Sequence, residues 1–206
     1  MSFRIEEKIP LTYSDMMSMY DNLYKKGMKE LYKKRTIQSL YFETGDFKMF
    51  SDAEEGTLPR KKIRIRNYPE SKSNYSIEKK YSSIEGRYKT SNKIHSDEYK
   101  EFIKNGIFDN LYGLCMPILE VIYEREYFQL ENIRITFDNN IIYRSFKNLK
   151  IEKRDSWSVV EIKASTNINI DYLSKLISSP RKRFSKFSNG IQAINFSNSF
   201  ISAINQ

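Results

Sequence analysis

Lys61-Lys62-Ile63-Arg64-Ile65-Arg66-Asn67-Tyr68 is the stretch on which the fold turns. Ile63 and Ile65 fall on one side of a period-two pattern, and Lys62, Arg64 and Arg66 fall on the other. That is a β-strand with one apolar and one cationic face. The alternation continues outward in both directions. Upstream, Phe3 to Ile9 sets Phe3, Ile5 and Ile9 against Arg4, Glu6 and Lys8, and Ile37 to Thr44 reads as a second strand. Downstream come Tyr75 to Tyr81, Arg87 to Ile94, Ile118 to Leu130, Asn132 to Asp138, Ile141 to Ser145 and Ser158 to Ala164, with Asp138-Asn139-Asn140 as a hairpin turn. Helical spacing covers Tyr13 to Leu31, starting at Ser14 and Asp15, then Ser96 to Leu111, Asp171 to Ile177 and Asn189 to Ile204. Gly45 to Pro59 reads as a loop. The predicted class is α+β and β-dominated, an antiparallel barrel of about eight strands with flanking helices. No linker interrupts the pattern, so residues 1–206 are expected to form a single domain.

The 206 residues include 35 Lys and Arg against 26 Asp and Glu, a net charge of +9. That balance predicts a polyanionic partner. A lone cysteine, Cys115, excludes a disulfide framework, and a lone histidine, His95, excludes a multi-histidine metal centre. Neither a signal-peptide core nor an apolar run of membrane-spanning length is present, so a soluble, cytoplasmic protein is expected. Cys115 and Trp157 read as packing residues and His95 as a surface residue.

The faces opposite the isoleucines carry Arg4, Glu6, Lys8, Lys62, Arg64, Arg66, Glu78, Lys80, Lys89, Arg134, Asp138, Glu161 and Lys163. With Arg125 and Lys186 the set holds eleven bases and four acids. A solvated sheet face normally mixes signs, because facing like charges repel. A surface this cationic makes sense when a polyanion occupies it, and on that reading Arg64 or Arg66 replaced by alanine relieves repulsion. Acids amid such bases suit a divalent cation shared with phosphate, with Glu6 and Glu161 foremost and Glu78 and Asp138 behind them. A salt bridge to a neighbouring base is the alternative that spacing leaves open. Nucleic acid is disfavoured, since Lys62-Arg64-Arg66 has only Tyr68 beside it and lacks a base-stacking platform. The run Arg181-Lys182-Arg183 reads either as a solvated face or as an entrance patch for phosphate chains.

These residues resemble a known family. RIEEK (Arg4 to Lys8) is similar to the R-x-E-x-K opening strand of the triphosphate tunnel metalloenzyme (CYTH-like) superfamily, in its VTC polyphosphate polymerase branch. In order follow SLYFET (Ser39 to Thr44), with Glu43 where the family usually has Asp, then KKIRIRNY (Lys61 to Tyr68), YSIEKKY (Tyr75 to Tyr81) and GRYKTS (Gly86 to Ser91). IYEREYF (Ile122 to Phe128), IRITFDNN (Ile133 to Asn140), VVEIKAS (Val159 to Ser165) and FSKFSNG (Phe184 to Gly190) complete the series. The resemblance implies an eight-stranded tunnel barrel that binds triphosphate with Mn²⁺ or Mg²⁺. It implies that Lys8, Arg64, Arg66, Lys80, Lys89, Arg125, Ser185 and Lys186 hold phosphate, with Arg4, Lys62, Arg134 and Lys163 as additions, and that Glu161, helped by Glu6, holds the metal. The implied reaction moves the γ-phosphate of ATP, or of another triphosphate, to a pyrophosphate or polyphosphate end. A triphosphatase on the same scaffold and a non-enzymatic polyanion-binding module remain open.

Overall fold

The computed structural model describes residues 4–70, 75–166, 168, 172, 176 and 183–204. The expected helix at Asp171–Ile177 falls largely outside these residues, as do Arg181 and Lys182 and the side chain of Arg4. Ten strands and four helices are described: β1 (Arg4–Leu11), α1 (Tyr13–Lys25), β2 (Lys29–Glu43), α2 (Lys48–Glu55), β3 (Arg60–Asn67), β4 (Tyr75–Ser83) and β5 (Gly86–Ile94) come first. Then follow α3 (Ser96–Asn105), β6 (Ile107–Asp109), β7 (Gly113–Leu130), β8 (Ile133–Ser145), β9 (Glu152–Arg154), β10 (Ser158–Ser165) and α4 (Lys186–Ile204).

Eight strands follow the order β1-β10-β8-β7-β2-β3-β4-β5, because two of the nine alternating segments, Asn132–Asp138 and Ile141–Ser145, belong to one strand, and the three-residue strands β6 and β9 pair off that path. The chain forms two compact units, each discontinuous in sequence. The first holds residues 1–35, 123–141 and 155–184; the second holds 36–122, 142–154 and 185–206. The long strands β2, β7 and β8 each run from one unit into the other.

In the first unit β1 pairs with β10 and β10 with β8, both antiparallel. The apolar faces of these strands meet α1: Met16, Met19 and Leu23 lie in one buried cluster with Ile9, Leu11, Phe128, Ile133, Ile135, Phe137, Val160 and Ile162. The spacing Met16, Met19, Leu23 puts all three on one helical stripe. Thr12, rather than Ser14, caps the helix, its hydroxyl accepting from the Asp15 N–H at 3.1 Å. The helix stops at Lys25, short of the expected Leu31. Gly27 takes φ +94°, its N–H donating to the Tyr24 carbonyl at 2.9 Å while the Met28 N–H donates to Leu23 at 3.0 Å. That left-handed glycine closure ends the helix and releases Lys29 to begin β2.

In the second unit β2, β3, β4 and β5 pair in succession, all antiparallel. Ile63 and Ile65 are buried here, and α2 packs on β3 and α4. Three local expectations are corrected. The Gly45–Pro59 loop contains α2, because the buried Glu43 carboxylate accepts from the Met49 and Phe50 N–H groups at 3.0 and 2.9 Å and so satisfies the start of the helix. The Asp138–Asn140 hairpin does not exist: β8 runs unbroken through it, with Asn140 alone at φ 52°. Asp138 is fully buried and turned to an arginine, so its side chain is not free to build a turn. Trp157 stands before β10 and is 37% exposed rather than packed beneath the sheet. Cys115 is buried and His95 exposed, as the sequence predicts.

Candidate functional site

With α1 covering one side of β1, β10 and β8, the opposite side gathers the charged residues of those strands. Register places Glu6 opposite Lys163 and Lys163 opposite Arg134; Lys8 stands opposite Glu161 and Glu161 opposite Thr136. The centre of this side is closed to solvent, while Glu6, Lys8, Lys163 and Arg134 around it remain partly or largely exposed. Asp138 is fully buried, and Thr136 and Glu161 nearly so. Arg125, reaching in from β7, forks onto both oxygens of Asp138 and lies 3.3 Å from Glu161 through Nη2. Lys163 Nζ stands 2.9 Å from Glu161 and 3.6 Å from Glu6, which also lies 3.2 Å from Lys8. Burial would raise the Glu161 pKa, but Arg125, Lys163 and Lys8 overcome it and hold the carboxyl well below the usual range. Arg134 is exposed, its guanidinium 5.5 Å from the Tyr127 ring centre.

A second cluster lies within the other unit. Lys62, Lys80 and Lys89 form one row across β3, β4 and β5, and Arg64, Glu78 and Ser91 form the next. Its centre is Glu78, nearly buried, on which three bases converge. Arg64 donates through Nε and Nη2 to Oε2 at 2.8 and 2.6 Å; Lys89 donates to Oε1 at 3.0 Å; Arg66 Nη1 stands 3.8 Å away. Burial works to raise the Glu78 pKa, yet the Arg64 and Arg66 charges and the bonds from Lys89 and Arg64 bring it down to about 2. Arg64 also donates to the Tyr41 hydroxyl at 2.8 Å. Lys62 donates to Ser185 Oγ at 2.9 Å, with Lys186 opening α4 immediately after. Lys80 is exposed on the row of Lys62 and Lys89.

The sequence-predicted phosphate-binding residues thus fall into two groups. Lys8, Arg125, Arg134 and Lys163 assemble around Glu161, Glu6 and Asp138, whereas Lys62, Arg64, Arg66, Lys89 and Ser185 assemble around Glu78 or Tyr41 or beside them. Glu78 and Asp138, candidate metal ligands behind Glu6 and Glu161, each anchor an arginine, the salt bridge that spacing leaves open as the alternative. Tyr41 was missed, although its place two residues after Ser39, on the polar side of β2, was a usable signal. Arg64 is therefore bonded on both sides, and the expectation that its removal merely relieves repulsion is revised.

The donor chemistry defines what cation would fit. Among the described residues no three Asp, Glu, His or Cys side chains are grouped as an all-protein metal cage. Glu161 is already paired with Arg125 and Lys163, and Glu6 with Lys8 and Lys163. A hard cation of the magnesium type, which takes one or two carboxylates and completes its shell with phosphate oxygens and water, would therefore be held at Glu161 only together with a phosphate that draws these bases away. Among the described residues no helix is long and apolar enough to cross a membrane.

The chain is similar to known proteins in family and in fold. The family model described as the VTC domain matches residues 3–114 and 108–195. No curated protein matches the sequence. Among solved structures, a "putative adenylate cyclase" from Bacillus halodurans is similar with a TM-score of 0.61 at 15% identity, over 89% of this chain and 94% of that one. HpAC1 from Hippeastrum, described as having a dominant triphosphatase activity, gives 0.58 at 14% identity over 92% and 96%. The PH1819 protein of Pyrococcus horikoshii gives 0.57 at 14% identity over 92% and 99%. At such identities the likeness is one of fold.

Proposed function

Because the chain belongs to the VTC domain family, we propose that it is a metal-dependent phosphotransferase that moves the γ-phosphate of ATP onto the end of a phosphate chain. The observation that carries this reading is the Glu78 cluster. One buried carboxylate is surrounded by Arg64, Arg66 and Lys89, with Lys62 alongside, so a cationic surplus remains that an anion neutralises. Phosphoryl transfer needs alignment and neutralisation of the phosphate oxygens rather than a protein nucleophile. Arginine forks and lysine ammonium groups provide both.

The carboxylates also favour phosphate over water as acceptor. Water attacking phosphorus is helped by a general base with a pKa near the working pH. Glu78 is engaged by Arg64 and Lys89 and Glu161 by Arg125 and Lys163, and these bases hold both carboxyls below their ordinary range, so both are weak bases. A terminal phosphate oxyanion is already deprotonated and needs no base. In the proposed step its oxygen bonds to the γ-phosphorus, the bond to the β–γ bridging oxygen breaks, and ADP leaves with that oxygen. A Mn²⁺ or Mg²⁺ held at Glu161 would draw charge from the phosphate oxygens.

Incubation with ATP and Mn²⁺ is expected to give ADP and a ladder of phosphate chains on a gel, faster when pyrophosphate is added as primer. A triphosphatase is the second reading, favoured by the activity described for the Hippeastrum protein. Release of ADP and monomeric phosphate alone, at a rate that ignores primer, would establish it.

A further inference from the structure

Two buried side-chain oxygens of the first unit, Thr136 Oγ1 and Asn139 Oδ1, have no hydrogen-bond partner among the described residues, and Thr136 is the one that shares a cleft with charged groups. Thr136 Oγ1, on β8 directly opposite Glu161, is buried and has no hydrogen-bond partner among the described residues. Leaving a hydroxyl buried and unbonded costs stability, so such groups are rare and call for an explanation. Thr136 lines a cleft of about 10 Å³ together with Arg125, Arg134, Glu161 and Lys163. That volume admits one water-sized atom, an oxygen rather than a whole phosphate group.

The lining decides which oxygen. Arg125, Arg134 and Lys163 can only donate hydrogen bonds, and a hydroxyl can donate one too. Glu161 is the single acid there, and it is already engaged by Arg125 and Lys163. Three cations around a one-atom space repel a bare cation and attract an oxyanion. We infer that Thr136 is a phosphate-binding residue whose hydroxyl donates to one non-bridging oxygen of a phosphate, seated in the cleft among Arg125, Arg134 and Lys163. The inference rests on the triphosphate reading above and adds to it a neutral donor. A hydroxyl opposite Glu161 lets the site grip a phosphate oxygen without another positive charge to compete with Arg125 and Lys163 for Glu161.

Thr136→Val is nearly isosteric and removes only the hydrogen bond, while Thr136→Ser keeps it. Binding of inorganic tripolyphosphate, measured by calorimetry without metal, should weaken about tenfold or more in Thr136→Val and stay within about threefold of wild type in Thr136→Ser. The melting temperature of unliganded Thr136→Val should be unchanged or higher, because a buried unpaired hydroxyl is removed. A hydroxyl with a purely structural role would give the opposite pattern, a lower melting temperature with unaltered affinity, and would overturn the inference. Equal affinity of Thr136→Val and wild type would overturn it as well. Failure of the wild-type protein itself to bind tripolyphosphate would overturn the triphosphate reading and this inference together.

Discussion

Glu78→Gln probes the cationic cluster most directly. The amide keeps the shape of the carboxylate and one acceptor oxygen, but it removes the charge on which Arg64, Arg66 and Lys89 converge. The Glu78 side chain is only 5% exposed, so solvent screening of this group is weak. Its carboxyl sits at about 2 against an ordinary 4.5. At about 1.4 kcal/mol per pH unit, that difference corresponds to about 3 kcal/mol of stability at neutral pH. A carboxyl whose folded-state pKa is depressed contributes stability above its unfolded-state value, and that contribution is lost as pH falls toward the folded-state value. The window is therefore pH 4.5 down to about 2. Urea denaturation at pH 7 should show the variant less stable by about 3 kcal/mol, and the gap should shrink to roughly half near pH 3. Added pyrophosphate should stabilise the variant at least as much as wild type, because it meets the same bases without the carboxylate. A gap smaller than about 0.5 kcal/mol at pH 7, or one that does not change with acid, would refute the claim that these bases are held against their own repulsion by Glu78.

Three further outcomes are expected. Glu161→Gln should abolish metal-dependent turnover while leaving metal-free tripolyphosphate binding in place; calorimetry with and without Mn²⁺ checks this, and an unchanged metal response would shift the site to Glu6 or remove it. Arg64→Ala should cost about 1–3 kcal/mol in denaturant, through lost bonds to Glu78 and Tyr41, and should weaken tripolyphosphate binding about tenfold; Arg64→Lys should recover only part of either, since an ammonium has no fork. Gly190→Ala on α4 would place a methyl 2.6 Å from Leu119 Cδ2 and 2.8 Å from Tyr143 Cδ1, both in buried side chains, and should cost about 1–3 kcal/mol, read as a lower unfolding midpoint. An unchanged midpoint would mean that α4 shifts away from Leu119 freely.

The period-two pattern was enough to place most strands and to sort their residues onto two faces. It set Ile63 and Ile65 against Lys62, Arg64 and Arg66, and Val160 and Ile162 against Glu161 and Lys163, as the sheet does. The ordered series of charged strands was legible for the same reason, because side-chain alternation is a local property of the backbone. Local pattern failed where a distant group decided the outcome. The helix α2 depends on Glu43 reaching Met49 and Phe50, the strand through Asp138 depends on Arg125, and the early start of β2 depends on a closure at Gly27 that the surrounding charged residues obscure. The candidate site shows the same division. Sequence assigned each base to a side of its strand, but only tertiary structure decided that this side is buried at Asp138, Glu161 and Glu78, that three bases share Glu78, and that Thr136 Oγ1 stays unpaired beside Glu161. Alternation fixes direction from a strand, whereas depth and neighbours come from register between strands far apart in the chain. Those two quantities set the charge environment and hence the chemistry.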